Sequence, residues 1–519
     1  MATSPGSKNE KSELPVDQGW AWVIVVGQFV NVFLMVGLAK SMGIFMEAFK
    51  QYFDTTTALA SMVMAAAAVV YAFVGPVCLL LGERFGVRPI VMFGGFIGCL
   101  GISLSSLLVT MDFVIIFFGI GFGIGNSTIY GNGLVMLGTY FIKRRTLANG
   151  LALSGSSIGQ FAMPPIIQLL LNKFGLSGAV LLIGGLYFHI TLFSSFFRPM
   201  SYYTSRLAKK QNGVGGEKME KLLNENVPAD QDGSVFPVGG HDNEDDGPVD
   251  KMDNDKRYTS YMASTGSICL TPVETLTPVE TLPADANDKF TEPVIPKKQN
   301  FCTHLFDLSI LRNYICIFNI IFGFFSFFGY FNFILFLPSH AISIGIMKYE
   351  MTWLVSACGI GDLCGRLFLG YFGDLNLIQR YKLETICLMS VGVNTLMFAF
   401  ADRFWWMMIH SVFYGLFGGG YVCMTAVVLI DMIGLKLMPK MLAILLLVQG
   451  IGAALGQPFL GWIYDKTGSY QVVMFVCGSS CVGSAILLAF WPIVKRLEQR
   501  RQDRLTEMKF SQRQELIVD

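Results

Sequence analysis

WAWVIVVGQFVNVFLMVGLAKSMGIF, residues 20–45, runs for 26 residues with a single charge, Lys40. About 20 apolar residues suffice to cross the hydrocarbon core as a helix. A secretory h-region is shorter, and the nineteen residues before Trp20 are polar, so the run is expected to remain as a membrane span rather than be cleaved. Trp20 and Trp22 suit the membrane–water interface, where amphipathic rings collect. The rest of the chain repeats the pattern. Further spans are expected at approximately 57–81, 88–110, 112–138, 147–171 and 178–198, then at 310–337, 350–373, 382–401, 404–433, 441–464 and 470–492.

Composition agrees with that count. Hydrophobic residues make up 53% of the 519 residues and charged residues only 14%, against about 25% charged in soluble domains. The net charge is +1, and no basic cluster is interleaved with aromatics, so nucleic acid is not an expected partner. The eleven cysteines are scattered without a CxxC and read as small buried residues rather than ligands or disulfides. No Walker motif, metal cluster or catalytic triad stands out, so neither a cofactor nor an enzyme is expected. Gly119, Gly121, Gly123 and Gly125 lack the strand and soluble βαβ unit of a dinucleotide loop. They read, with the pairs Gly155/Gly159, Gly415/Gly419 and Gly452/Gly456, as close helix contacts.

The expected organisation is a cytosolic tail at 1–19, a six-helix bundle at 20–199, a cytosolic, largely disordered central loop at 200–309, a second six-helix bundle at 310–492 and a cytosolic tail at 493–519. The central loop carries an acidic block (Asp242, Glu244, Asp245, Asp246, Asp250) and the tandem repeat TPVETLTPVETL, Thr271–Leu282. Its low hydrophobicity predicts disorder, as a tether or as a regulatory docking segment. Basic clusters follow even-numbered spans: Arg84 and Arg88, Lys143 to Arg145, Arg206 to Lys210, and Lys495 to Arg501. By the positive-inside rule both termini and the central loop are cytosolic. The sequon Asn126-Ser127-Thr128 falls inside span four, where no glycan is expected. The fold class is therefore an all-α membrane protein, twelve transmembrane helices in two pseudo-symmetric six-helix bundles. That is the major facilitator arrangement, with its site between the bundles near the midplane.

Three motifs refine this. Gly82-Glu83-Arg84-Phe85-Gly86-Val87-Arg88-Pro89 resembles the superfamily's short cytosolic loop GxLaDrfGrrp, echoed by Gly370-Tyr371-Phe372-Gly373-Asp374. Asp17-Gln18-Gly19-Trp20-Ala21-Trp22 resembles the motif [DE]G[GS][WF][GA]W at the first span of monocarboxylate transporters, departing at Gln18. Residues 140–155, YFIKRRTLANGLALSG, are similar to that family's YFxxRRxLAxGxAxAG, departing at Ser154. On these stretches the chain is identified as similar to the monocarboxylate transporter family over both bundles, excluding the tails and the central loop.

In proton-coupled members of that family, a lysine in span one and an Asp/Arg pair in span eight carry transport. The matching residues are Lys40 and Asp362-Leu363-Cys364-Gly365-Arg366. A charge at mid-bilayer costs about 2.5–3.5 kcal/mol on insertion scales, and four-residue spacing puts Asp362 and Arg366 on one helical face. Two blander readings stand beside this: a helix-stabilising pair for Asp362 and Arg366, and snorkelling for Lys40, whose span is expected to end about one turn later. The resemblance also implies a pocket position for Asn149, where packing is the alternative. Arg145, Asp431, Glu83 and Arg84 are candidates for gating or cytosolic ion pairs. Tyr421, Phe331 and Phe368 could shape the pocket, and His189 and His410 read as buried. Four residues before the lysine, lactate-type members tend to carry an aromatic residue, whereas this chain has Val36, which leaves room for a larger substrate.

The resemblance implies a proton-coupled symporter of monocarboxylates (lactate, pyruvate or ketone bodies) at the plasma membrane, working by alternating access. The alternatives are a facilitator of aromatic amino acids, creatine, carnitine or another amphipathic metabolite, and a non-transporting sensor or scaffold. Its expected partners are a small organic anion with a proton, membrane lipids, and an accessory immunoglobulin-type glycoprotein of the basigin or embigin kind.

Overall fold

In lipid no water satisfies backbone N–H and C=O groups, so a spanning chain closes its hydrogen bonds inside helices. The computed structural model describes residues 16–141, 144–200, 202–203, 313–375, 377–434 and 438–518, and these contain helices and turns but no strand. The acidic block and the TPVETL repeat lie outside the described residues.

The first six crossings are α1 (Trp20–Phe53), α2 (Thr57–Phe85), α3 (Val87–Ser105), α4 (Met111–Tyr140, with a π-helical segment at Ile115–Ile120), α5 (145–174) and α6 (176–194). The last two are arms of one continuous helix, Arg145–Ser194, broken at Gly175, whose φ of 68° is open to glycine. The second six are α7 (Tyr314–Ser343), α8 (Lys348–Asp374), α9 (Arg380–Phe398), α10 (Phe404–Ile433), α11 (Met438–Thr467) and α12 (Tyr470–Ala489), followed by α13 (Trp491–Val518). Ten described helices are long and apolar enough to span by composition. The α5–α6 arms count as one of those ten. α9 falls short of the criterion because Arg380, Lys382 and Glu384 crowd its first turns. Twelve crossings result.

Several boundaries differ from the sequence expectation, α7 for instance ending at Ser343 and α3 at Ser105, and two have a visible cause. α1 continues eight residues past Phe45, because Met46 and Phe49 are still buried and Lys50 finds aromatic cover over the Tyr464 ring at 4.4 Å. α7 starts at Tyr314, not near 310. There the Asn313 side chain accepts the Ile315 N–H at 2.8 Å, and Glu498 of α13 accepts the Tyr314 N–H at 3.1 Å. Together they supply acceptors for the orphan donors of a helix start.

Small residues set the spacing inside each half. A Cβ on Gly37 of α1 would meet the Gly159 backbone of α5 at 2.8 Å, and Gly155 and Gly159 press on the backbone at Phe29 and Phe33. In the second half Gly415 and Gly419 of α10 press on the α8 backbone at Cys358 and Asp362. The glycine pairs thus act as backbone contacts, as their spacing led us to expect.

The halves meet through glycine contacts as well, and also through polar bonds, several of them gathered away from the chain termini. We call the side where α1 begins the terminal end and the opposite side the far end. At the far end Asp465 of α11 accepts the N–H groups of Thr57 and Ala58, both at 2.9 Å. A carboxylate from one half therefore caps the first helix turn of α2 in the other, where the helix dipole favours it. Ser339 donates to Glu47 at 3.0 Å, Lys348 to Gln51 at 2.8 Å, and Lys50 to the Tyr470 hydroxyl at 3.3 Å. The far end is shut. Asp465→Ala removes the shared cap, worth about 0.5–2 kcal/mol. The expected result is faster labelling of a cysteine placed at Ser339 by a membrane-impermeant thiol reagent applied from the far side. An unchanged labelling rate would refute the latch.

Candidate functional site

Lys40 lies thirteen residues before the end of α1 at Phe53, about 20 Å along a helix rising 1.5 Å per residue. That removes the snorkelling reading, since the ammonium is buried deep between helices rather than at an interface. The Gly37–Gly159 contact, one turn before Lys40, brings α1 against α5. There the Lys40 Nζ donates to Gln160 Oε1 at 2.7 Å.

Asp362 sits midway along α8 and is 1% exposed. Its backbone is pinned from one side by Gly415 and Gly419 of α10. From the other side, Gly359 lies against α5 so closely that a Cβ would meet Ser157 O at 2.9 Å and Phe161 N at 2.6 Å. Ser356 strengthens that seam by donating to Phe161 O at 2.7 Å. This approach of α5 and α8 is where the two halves touch at mid-depth.

The carboxylate of Asp362 is the meeting point of the cluster. Arg366 Nε donates to Oδ2 at 2.9 Å and Nη2 to Oδ1 at 3.4 Å, as the four-residue spacing requires. From the opposite half Ser157 Oγ donates to Oδ2 at 2.5 Å, and Lys40 Nζ lies 3.5 Å from Oδ1. Two cations and one carboxylate leave a net charge of +1. Beside them is a small cavity walled by Tyr330, Phe331, Ile334 and Tyr414, with room for little more than a water molecule. Tyr414 donates to the Tyr330 carbonyl and stacks on its ring at 5.6 Å, which fixes that wall.

Burial falls away from Asp362 toward the terminal end. On α8 the residues from Met351 to Gly359 are buried except half-buried Trp353, whereas Leu367, Phe368, Tyr371 and Phe372 are exposed. The Arg366 side chain is 21% exposed against 2% for Asp362, so it is the more exposed of the pair.

The other anticipated residues are placed elsewhere. Asn149 is two turns from Ser157 on the same stripe of α5, outside the cluster, with its Oδ1 buried and unpartnered. Val36 packs with Val32, Leu134, Leu153 and Tyr130 below Lys40. Asp431 pairs with Arg380 at 3.2 Å within its own half. Arg84 is exposed over the Phe85 ring. The side chains of Glu83 and Arg145 lie outside those described. Tyr421 donates to Ser326 at 2.9 Å, Phe331 lines the cavity and Phe368 faces outward. Neither histidine is buried as expected: His410 is half-buried and pairs with Asn394 at 2.8 Å, and His189 is exposed with its ring against its own helix backbone. Ser157 and Gln160 were not anticipated. Their signal is the polar run Ser156-Ser157-Ile158-Gly159-Gln160 inside an apolar span, just past the motif that ends at Gly155.

Removing one partner of a buried ion pair costs about 3–5 kcal/mol because the other charge is stranded. Asp362→Ala should therefore lower the thermal midpoint of the purified protein sharply. The double variant Asp362→Ala with Arg366→Ala should recover much of that loss. A simple sum of the two single effects would show that the groups are not coupled.

Comparison with known proteins bears on what such a bundle is. The family model described as Major Facilitator Superfamily matches residues 28–228 and 319–517. Monocarboxylate transporter 12 of Xenopus laevis is 24% identical over 498 residues, covering 95% of this chain and 94% of the relative. Monocarboxylate transporter 7 of Homo sapiens is 25% identical, covering 93% and 87%. Monocarboxylate transporter 9 of Gallus gallus is 28% identical, covering 92% and 94%. With two six-helix halves around a buried charged cluster, and similarity along nearly its whole length to proteins named monocarboxylate transporters, the chain belongs to the Major Facilitator Superfamily.

Proposed function

We propose that this protein carries a small organic monocarboxylate across the plasma membrane together with one proton, by alternating access, with both termini in the cytosol. The observation that carries this reading is the shared carboxylate: Lys40 and Arg366 divide Asp362 between them and leave one positive charge unneutralised beside a cavity at the seam. A monoanion matches that excess.

The chemistry follows from the bonds already described. In the empty carrier Asp362 occupies the Arg366 guanidinium. A proton arriving at Asp362, directly or from Lys40, cancels the carboxylate charge and weakens its hold. Arg366 can then take the substrate carboxylate bidentately. Tyr330, Phe331, Ile334 and Tyr414 contact the apolar body of the substrate. The loaded site has gained one proton and one anion, so its charge is unchanged. Rocking of the halves about the α5–α8 seam breaks the far-end bonds and exposes the site to the other side.

A second reading has its own observation. Val36 packs against Val32, Leu134 and Leu153 one turn before Lys40, where an aliphatic side chain takes less room than an aromatic one would. This supports a larger amphipathic acid, such as an aromatic amino acid, creatine or carnitine, and facilitated rather than proton-coupled movement.

Uptake of a labelled panel (lactate, pyruvate, an aromatic amino acid, creatine, carnitine) at two external pH values separates these readings. The expected outcome is lactate uptake that rises on external acidification. In Arg366→Ala at normal surface level it should fall at least about tenfold, since bonds to a charged group are worth about 1.5–3 kcal/mol. Full uptake by Arg366→Ala would sink the carboxylate role, and pH-independent uptake would sink the proton coupling. Deleting residues 201–300 should leave much of the flux in place; a scaffold acting through that segment would lose its function.

A further inference from the structure

Glu384, in the second turn of α9, is 1% exposed and has no part in the cavity at Asp362. Its Oε1 is buried without a hydrogen-bond partner. Among the described residues no Lys, Arg or His lies within ion-pair distance of it. Arg380, one turn earlier on the same helix, is engaged by Asp431. The hydroxyl of Thr425 on α10 is beside it. That hydroxyl spends its hydrogen on the Tyr421 carbonyl at 2.9 Å, so it meets Glu384 as an acceptor. The titratable groups that feel Glu384 are a thiol and a phenol, Cys387 on α9 and Tyr421 on α10, and Arg366 on α8 is bound to Asp362. The side chain of Asp374, at the end of α8, is not among those described.

An ionised carboxylate in such surroundings would be stranded, at a cost of several kcal/mol. A carboxylic acid instead donates its O–H to Thr425 and leaves only a carbonyl-type oxygen unpaired. We infer that Glu384 is a second proton-binding site, a neutral acid in this conformation, linked to the substrate cavity through α10. The link is physical. The α10 segment that places Thr425 and Tyr421 beside Glu384 also places Gly415 and Gly419 on the Asp362 backbone. Tyr421 meets Tyr330 edge-on at 5.4 Å, and Tyr330 walls the cavity. A shift of α10 at Asp362 therefore moves the Thr425 hydroxyl beside Glu384, and the acid gains or loses its proton as the carrier cycles.

Infrared difference spectroscopy on the purified full-length protein in lipid tests this without reference to what is carried. The expected result is a protonated-carboxyl C=O band at neutral pH that disappears in Glu384→Gln, persists in Asp362→Asn, and leaves thermal stability intact, because the amide mimics the neutral acid. A wild-type spectrum whose band survives Glu384→Gln would overturn the proposal, as would a marked loss of stability in both Glu384→Gln and the apolar variant Glu384→Met. The cycle linkage rests on the proposed proton-coupled uptake and has its own readout. Glu384→Gln should keep lactate uptake but flatten its dependence on pH, and an unaltered pH profile would overturn the linkage while leaving the assignment of the proton to the infrared result.

Discussion

One carboxylate answering to two cations from opposite halves is the constraint on which the rest of the molecule depends. Asp362 cannot be displaced without stranding Arg366 on its own helix and Lys40 across the seam. Holding these groups within hydrogen-bond reach requires α8 to touch both α10 and α5 at backbone distance. This is why glycine stands at Gly415, Gly419 and Gly359. Here a single methyl would push the carboxylate away from the partners that justify its burial.

The two kinds of contact in the molecule serve different ends. Inside each half, glycines weld helix to helix through dispersion and shape, with no polar atom to exchange. Between the halves, glycine contacts at Gly43 and Gly359 are joined by hydrogen bonds at Asp465, Glu47 and Ser157, which water or a substrate can replace.

Much of this was legible in the sequence. The twelve runs, the glycine pairs and the Asp362–Arg366 spacing all follow from periodicity and composition, because lipid leaves the backbone few alternatives. The depth of Lys40 was not legible, since the hydropathy of span one fades at Phe45 while the helix continues under aromatic cover supplied by α11 and α12. Ser157 and Gln160 were missed for a related reason. A serine in a membrane helix usually bonds its own backbone, and nothing local shows that Asp362, 205 residues away in the chain, takes this one. Glu384 was also overlooked, because in sequence it reads as one more charge among Arg380 and Lys382 at a helix start, and only the packing of α10 shows that it points inward.

The excess charge of the cluster has an electrical consequence. A unit charge moved through the full membrane potential gains or loses about 2.3 kcal/mol per 100 mV. With Lys40, Arg366 and ionised Asp362 the empty site carries +1. If anion and proton bind together, the loaded site also carries +1, the field acts alike on the outward and return steps, and the cycle passes no net current. If an anion binds alone, the loaded site is neutral and the voltage acts only on the empty return. The same three side chains thus specify a silent carrier in one case and a current-generating one in the other, and the holding potential becomes a direct probe of what occupies Asp362.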